Sequence, residues 1–258
     1  MQTIEGIVPI LITPFFADGR IDEASLRSLI DFNIAAGIHG IGVALGSEVF
    51  KFTEAERSEI TRIVVTKFHP AQLVRELHAL GVRDVGENRQ QELTAKHGEL
   101  ELEGLRWHFI GQAQTNKAGA IRRSADAVHS VDRVKIADAL HRASENDDDV
   151  LDVLVQVNLT EDLGRGGVAP ADAEQLAEHI LTLPSLRLRG VMGVAPLDED
   201  PAPAFARLRA ISDGIRRAAP DATWISAGMT GDFAEAIAAG ATHLRIGSAI
   251  TGPRPDRG

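Results

Sequence analysis

Cysteine is absent from the 258 residues, which removes disulfides and every thiolate metal site and leaves the redox compartment open. Tyrosine is absent too, so no phenol is available for acid/base chemistry. No apolar run approaches a membrane span. The opening MQTIEGIVPILITPFF has no charged region before its apolar residues and meets a proline early, so it reads as a strand rather than a leader or an anchor. No Gly/Ser linker or low-complexity segment interrupts the chain. Positive charge is in deficit: the formal net charge is −10, without a Lys/Arg stripe, which argues against a nucleic-acid partner held through its phosphates. A local pocket for one small phosphate stays open. The nine histidines show no H-E-x-x-H or other ligand spacing, so no catalytic metal is expected. What remains is an acidic chain with no expected membrane partner and a cytoplasmic setting as the default.

What is present is alternation. Short apolar runs separated by longer helical patterns are the signature of repeated βα units. Strands are expected at Ile7–Thr13, Ile41–Leu45, Ile63–Lys67, Asp84–Glu87, His108–Gln112, Ala127–Val131, Val153–Asn158, Leu188–Met192, Ile225–Met229 and His243–Gly247. In DEASLRSLIDFNIAAG, Leu26, Leu29, Ile30 and Ile34 share one helical face and Gly37 supplies the stop. Thr53 and Glu56 in TEAERSEI form a capping box. In a chain of this size the pattern favours an α/β fold of the (β/α)8 TIM-barrel kind over an open doubly wound sheet. The expected strands exceed the eight of such a barrel by two.

A parallel barrel carries its site at the C-terminal strand ends, and here those ends are polar: Lys67, Glu87 and Asn88, Gln112 and Asn116, Asn158, Met229 and Thr230, then Arg245, Gly247 and Ser248. The stretches SAGMTGDF and RIGSAI combine glycines, hydroxyls and Arg245 just before helices, a pair of loops suited to cupping a phosphate. The bland alternative, that these glycines only make tight turns, is weaker for two adjacent loops than for one. A lysine facing such a cup is the arrangement a Schiff base to pyridoxal 5'-phosphate needs. Lys67 in RIVVTKFHP could equally be a strand-end lysine reaching for water.

The blocks VTKFHP, VRDVGENRQQE, LRWHFIGQAQTNK, VHSVD, VLVQVN, LRLRGVMGVAPL and ISAGMTGDFAEAIAAGATHLRIGSAITG together resemble the pyridoxal-phosphate homeostasis protein family. The resemblance implies an alanine-racemase-type barrel over residues 64–258, without a second domain, that binds pyridoxal 5'-phosphate with little or no catalysis. It makes Lys67 the Schiff-base lysine. Ser226, Met229, Thr230, Arg245, Gly247 and Ser248 would hold phosphate and ring, with Asn88 lining the site. A racemase of this fold takes its second acid/base from a tyrosine, usually of another domain, and this sequence offers neither. The competing readings are a racemase- or aldolase-type Schiff-base enzyme and a recombined or engineered chimeric barrel with no preserved activity.

Residues 1–63 fit that family less well. Their TPF, DGRID, AAGIHGI and TEAER resemble the N-terminal quarter of the dihydrodipicolinate synthase family, although ALGSEVF stands where that family has GTTGE. The expectation is a chimera, natural or engineered, joined near Val64-Val65. The eight strands from Ile63 onward would close the barrel and leave an extra N-terminal βαβα segment outside it. A helix reaching Arg62 would then leave almost no loop before the strand, so either must shorten. A monomer or weak dimer is expected, the edges at 7–13 and 41–45 being open to pairing. Elsewhere SENDDDV reads as a solvated acidic loop and DLGRGGVAP as a lid-like loop. Trp107, Trp224, His69, His108 and His129 read as packed or hydrogen-bonded side chains.

Overall fold

The computed structural model describes residues 60–252 except 147, 163 and 198, together with 10–11, 27–28, 31 and 42–43. The chain divides into two compact units, Met1–Arg57 and Ser58–Gly258. In the first, β1 (Ile10–Leu11) and β2 (Gly42–Val43) pair in parallel, Ile10 opposite Gly42 and Leu11 opposite Val43. Residues 27, 28 and 31 are helical. The capping box at Thr53 lies outside the described residues.

The second unit is a closed parallel barrel. Its strands are β3 (Thr61–Val65), β4 (Asp84–Glu87), β5 (Arg106–Phe109), β6 (Ala127–Val131), β7 (Leu151–Val157), β8 (Leu186–Gly193), β9 (Trp224–Ser226) and β10 (His243–Ile246). They run in sequence order around the wall, and β10 closes on β3. Helices α1 (Ala71–Ala79), α2 (Gln90–Glu99), α3 (Ala118–Arg122), α4 (Val134–Arg142), α5 (Ala173–Leu181), α6 (Pro201–Ile215), α7 (Phe233–Ala238) and α8 (Ser248–Thr251) follow the strands. This is the α/β (β/α)8 barrel expected, built from the eight later strands alone. Among the described residues no helix is long and apolar enough to cross a membrane.

Local sequence explains the elements. Parallel strands covered on both faces read as nearly continuous buried runs, and all five residues of β6 are buried. Helix α4 turns Ile136, Ala137 and Leu140 inward, a spacing that keeps them on one face. Helix α6 begins with Pro201 after Asp200, whose Oδ1 accepts the Ala202 amide at 3.0 Å, an N-cap followed by proline at its tolerated position. Arg122 is buried and donates from Nε to Asp149 Oδ2 at 2.8 Å. The acidic run at 144–150 is therefore tied to the barrel at Asp149 rather than wholly solvated.

Boundaries moved where pairing demanded it. The first barrel strand starts at Thr61, not Ile63, because Thr61 and Arg62 lie opposite His243 and Leu244 of β10. A helix reaching Arg62 is thereby ruled out, and β3 spans residues on both sides of the 63/64 junction. The strand ends at Val65, so Lys67 stands in the turn beyond it.

The two faces of the wall differ in polarity. Trp107 and Phe109 join the apolar layer under the helices, whereas His108 between them bonds His129 and Asp84. Ala127, Leu154, Met192 and Trp224 form a separate small cluster. Inside the barrel, apolar filling is thus shared with buried polar groups.

One glycine is required by this closure. Gly190 has φ 149°, and a Cβ there would lie 1.9 Å from the Trp224 carbonyl oxygen of the neighbouring strand. Backbone cannot yield as a side chain can. Gly190→Ala should destabilise the barrel by more than about 2 kcal/mol, measured by urea denaturation; a midpoint equal to that of the parent would contradict this packing.

Candidate functional site

Seven of the eight expected site residues meet at one cavity. Lys67, Asn88, Met229, Thr230, Arg245, Gly247 and Ser248 line a pocket of about 350 Å³ at the C-terminal ends of the strands, together with His69, Met192 and Val194. Ser226 is the exception. It is fully buried and does not line the pocket; its hydroxyl is shared between His129 Nδ1 at 2.9 Å and Arg245 Nη1 at 2.7 Å. Its place is therefore behind Arg245, one side chain removed from the cavity.

The cup is shaped by its own turns. Gly228, at φ 87°, lets the chain leave β9, where a Cβ would sit 2.7 Å from Ala236 Cβ. Asp232 Oδ1 accepts the Met229 amide at 2.6 Å, and the Asp232 amide returns a bond to the Met229 carbonyl. Thr230 and Gly231 at the tip face solvent, and among the described residues no hydrogen bond engages their amides. Arg245 is 5% exposed and is held by Ser226 and by the Gly193 carbonyl at 2.9 Å. Desolvation pushes its pKa down to about 10, with Asp232 opposing the shift, so it still enters the pocket as a cation.

The Lys67 turn is fixed from outside the wall. Thr66, 0% exposed, donates its hydroxyl to Glu87 Oε1 at 2.6 Å. Lys96 of α2 donates to the same carboxylate at 2.6 Å and to the Thr66 carbonyl at 2.8 Å. Phe68 adopts φ 69°, uncommon for a residue with a side chain. Its amide is anchored by Glu92 Oε2 at 2.9 Å, and Arg89 lies over its ring. Three residues of α2 or its approach thus aim one turn. Burial pushes the Glu87 carboxyl up against the opposing pull of Lys96, and its Oε2 has no hydrogen-bond partner.

Other expected strand-end groups lie elsewhere. Gln112 lines a second cavity of about 160 Å³ with Asn88, Gln114 and Lys117. Asn158 secures the following loop, donating to the Asp162 carbonyl at 2.9 Å and accepting from Thr160. That loop is further tied by Val168, whose amide bonds the Gln156 carbonyl at 2.8 Å. His108 and His129 are buried and hydrogen-bonded as expected. His69 lines the pocket, its pKa lowered by burial and then by Lys96. Trp107 packs under the helices, while Trp224 lies against His243, with ring centres 4.2 Å apart. Lys96 was not legible as a site residue, since a helical lysine in QELTAKHGE carries no spacing signal.

Comparison with known proteins can now be set beside this geometry. Residues 32–255 match the family described as "Alanine racemase, N-terminal domain". The pyridoxal phosphate homeostasis protein of Mycobacterium tuberculosis is 40% identical over 215 residues, covering 76% of this chain and 83% of that protein. The chain belongs to the pyridoxal phosphate homeostasis family. A second family relative, from Pseudomonas aeruginosa, is 43% identical over 195 residues, covering 74% of this chain and 84% of its own. Among solved structures, PipY of Synechococcus elongatus with pyridoxal phosphate bound superposes with a TM-score of 0.71 at 35% identity, covering 77% of this chain and 97% of that one. Alanine racemase from Corynebacterium glutamicum, at 15% identity and a TM-score of 0.62, shares the fold alone.

Within this family member the Glu87–Lys96 pair invites a direct test. Removing one partner of a buried pair leaves an uncompensated charge. Lys96→Met should cost about 3–5 kcal/mol, and adding Glu87→Gln should restore much of it. Urea denaturation of single and double variants measures both; equal stabilities for Lys96→Met and the double variant would contradict the pairing.

Proposed function

We propose that this chain binds pyridoxal 5'-phosphate covalently through Lys67 and serves in its homeostasis or carriage, with little or no turnover. The observation that carries the reading is the convergence of Lys67, from the first barrel strand, with Arg245 and the 228–231 and 247–248 loops, from the last two, on one cavity. A volume of about 350 Å³ suits a small cofactor. The fit extends to polar detail: Asn88 Oδ1 is buried without a hydrogen-bond partner, and the amides at 230 and 231 are available to an anion.

When bound, the cofactor supplies an electrophilic aldehyde and a ring that acts as an electron sink. The chain's own residues do the rest. Lys67 provides the amine for attachment, in a partly buried turn whose aim is set by Thr66, Glu87 and Lys96. Thr230, Gly247 and Ser248 would hold the phosphate through hydroxyls and backbone amides. Met229, Asn88 and Arg245 would hold the ring, with Ser226 acting through Arg245. Arg245 has a strongly basic guanidinium and so is a poor proton carrier near neutrality. With tyrosine absent from the chain, this favours binding over racemisation. The same reading keeps the protein cytoplasmic, monomeric or weakly dimeric, and without a nucleic-acid partner.

We further infer that residues 1–63 are a fragment of dihydrodipicolinate-synthase type joined to the binding barrel at 64–258, making the chain a chimera. The reading rests on the resemblance carried by TPF, DGRID, AAGIHGI and TEAER. The family match begins at residue 32, within this segment.

Two measurements test these readings. Titration with pyridoxal phosphate should raise a visible absorbance band that borohydride locks onto Lys67, as mapped by peptide mass, and Lys67→Ala should abolish it. Labelling spread over surface lysines would overturn the proposal. Limited proteolysis should leave a resistant barrel that keeps the band; first cuts within 60–252 would count against two units.

A further inference from the structure

The barrel interior holds a continuous polar line that the pocket residues alone do not require. Asp84 opens β4, and its Oδ1 lies 2.9 Å from His108 Nε2. His108 Nδ1 lies 2.9 Å from His129 Nε2, and His129 Nδ1 lies 2.9 Å from Ser226 Oγ. Ser226 Oγ accepts from Arg245 Nη1 at 2.7 Å. The line crosses the barrel from the N-terminal end of β4 to the pocket. His108, His129 and Ser226 are each fully buried, and the Asp84 side chain is 20% exposed.

We propose that Asp84, His108, His129 and Ser226 form a one-directional hydrogen-bonded relay that positions Arg245, which makes Asp84 a remote positioning residue for the ligand in the pocket. Where that ligand is named as pyridoxal phosphate, the inference rests on the function proposed above. With both rings neutral, donor counting fixes the direction. A carboxylate only accepts, so His108 Nε2 carries the proton and, in the neutral ring, His108 Nδ1 accepts. His129 must then donate from Nε2 and accept at Nδ1. Ser226 donates its single proton to His129, and its oxygen takes the Arg245 N–H, since a guanidinium only donates. Every link is satisfied with both rings neutral. A reversed line would bring two donors to Ser226 Oγ and leave the hydroxyl proton without a partner in a buried site.

The surroundings favour a neutral His129 ring. His129 faces His108 on β5, His243 and Arg245 on β10, and Arg106 on β5; desolvation and these neighbours hold its pKa well below the usual range. His243 lies against Trp224 and His129, bonds Thr242 Oγ1, and is pushed down to about 3 by burial, His108, Arg106 and Arg189 against the pull of Asp84. Asp84 is held low chiefly by its bond to His108 and by nearby Arg106 and His243, burial opposing. It is the carboxylate at the end of the relay, and Asp152, beside Arg106 and Arg189, is the other acid of this region.

The test begins with the intact protein and no ligand. Long-range 1H–15N correlation spectra should show His108 and His129 each carrying one proton, on Nε2. A proton on His129 Nδ1, or two on either ring near neutral pH, would overturn the relay whatever the pocket binds. The second step uses pyridoxal phosphate with the parent and Asp84→Ala, alongside circular dichroism to establish that the barrel is retained. Removing a half-buried negative charge disfavours cationic forms of the bound ligand, so the pH midpoint of its visible band should move lower and its affinity fall about threefold to tenfold. An unchanged midpoint and affinity would overturn the positioning role. Absence of any visible band in the parent would instead sink the proposed function, leaving the ring spectra to judge the relay.

Discussion

The pairing of β10 with β3 is the constraint on which everything else depends. Four residue pairs, from His243 opposite Thr61 to Ile246 opposite Val64, close the barrel. The same ladder brings Gly247 beside Val65, and hence the phosphate cup beside the Lys67 turn. The two halves of the site are about 180 residues apart in sequence, so no local interaction could assemble them. A displacement of about 1 Å at this seam would be felt at the ligand, because a binding constellation tolerates little looseness. The strand's extension back to Thr61 follows from the same demand: a shorter β3 would leave the first two residues of β10 unpaired on its β3 side.

The wall so closed carries a buried polar cluster on each face. Outside it, Glu87, Lys96 and Thr66 lie between sheet and α2 and hold the turn of Lys67. Inside it, Asp84, His108, His129 and Ser226 lead to Arg245. Buried polar groups cost free energy unless satisfied, and a satisfied network specifies one arrangement where apolar packing would allow several. In both clusters the last member is a cation of the pocket or its immediate neighbour. The wall therefore transmits position as well as enclosing a core. Gly190 and Gly228 serve the same closure by allowing approaches that a Cβ would block.

Much of this was legible in the linear chain. The alternation of apolar runs and amphipathic stretches marked the barrel strands, with shifts of at most three residues at their ends. Polar residues at those ends marked the pocket, because Lys67, Asn88, Thr230, Arg245 and Ser248 stand where parallel strands stop. Ser226 shows the limit: its place within a strand is readable, but whether its hydroxyl meets a ligand or a histidine depends on which neighbours the closed barrel brings to it. His108 and His129 carried no spacing signal, being 21 residues apart and joined only across β5 and β6.

By itself, then, the sequence determined the element types, the strand ends that would bear chemistry and the acid/base groups it does not contain, since these follow from composition and from periods of two and 3.6 residues. Tertiary structure alone decided which strands share the barrel, which face of the wall each polar side chain takes, and that Lys96 and Asp84 bear on a site neither touches. Those outcomes rest on register and on contacts between residues far apart along the chain, where a one-residue slip would reverse every side chain on a strand.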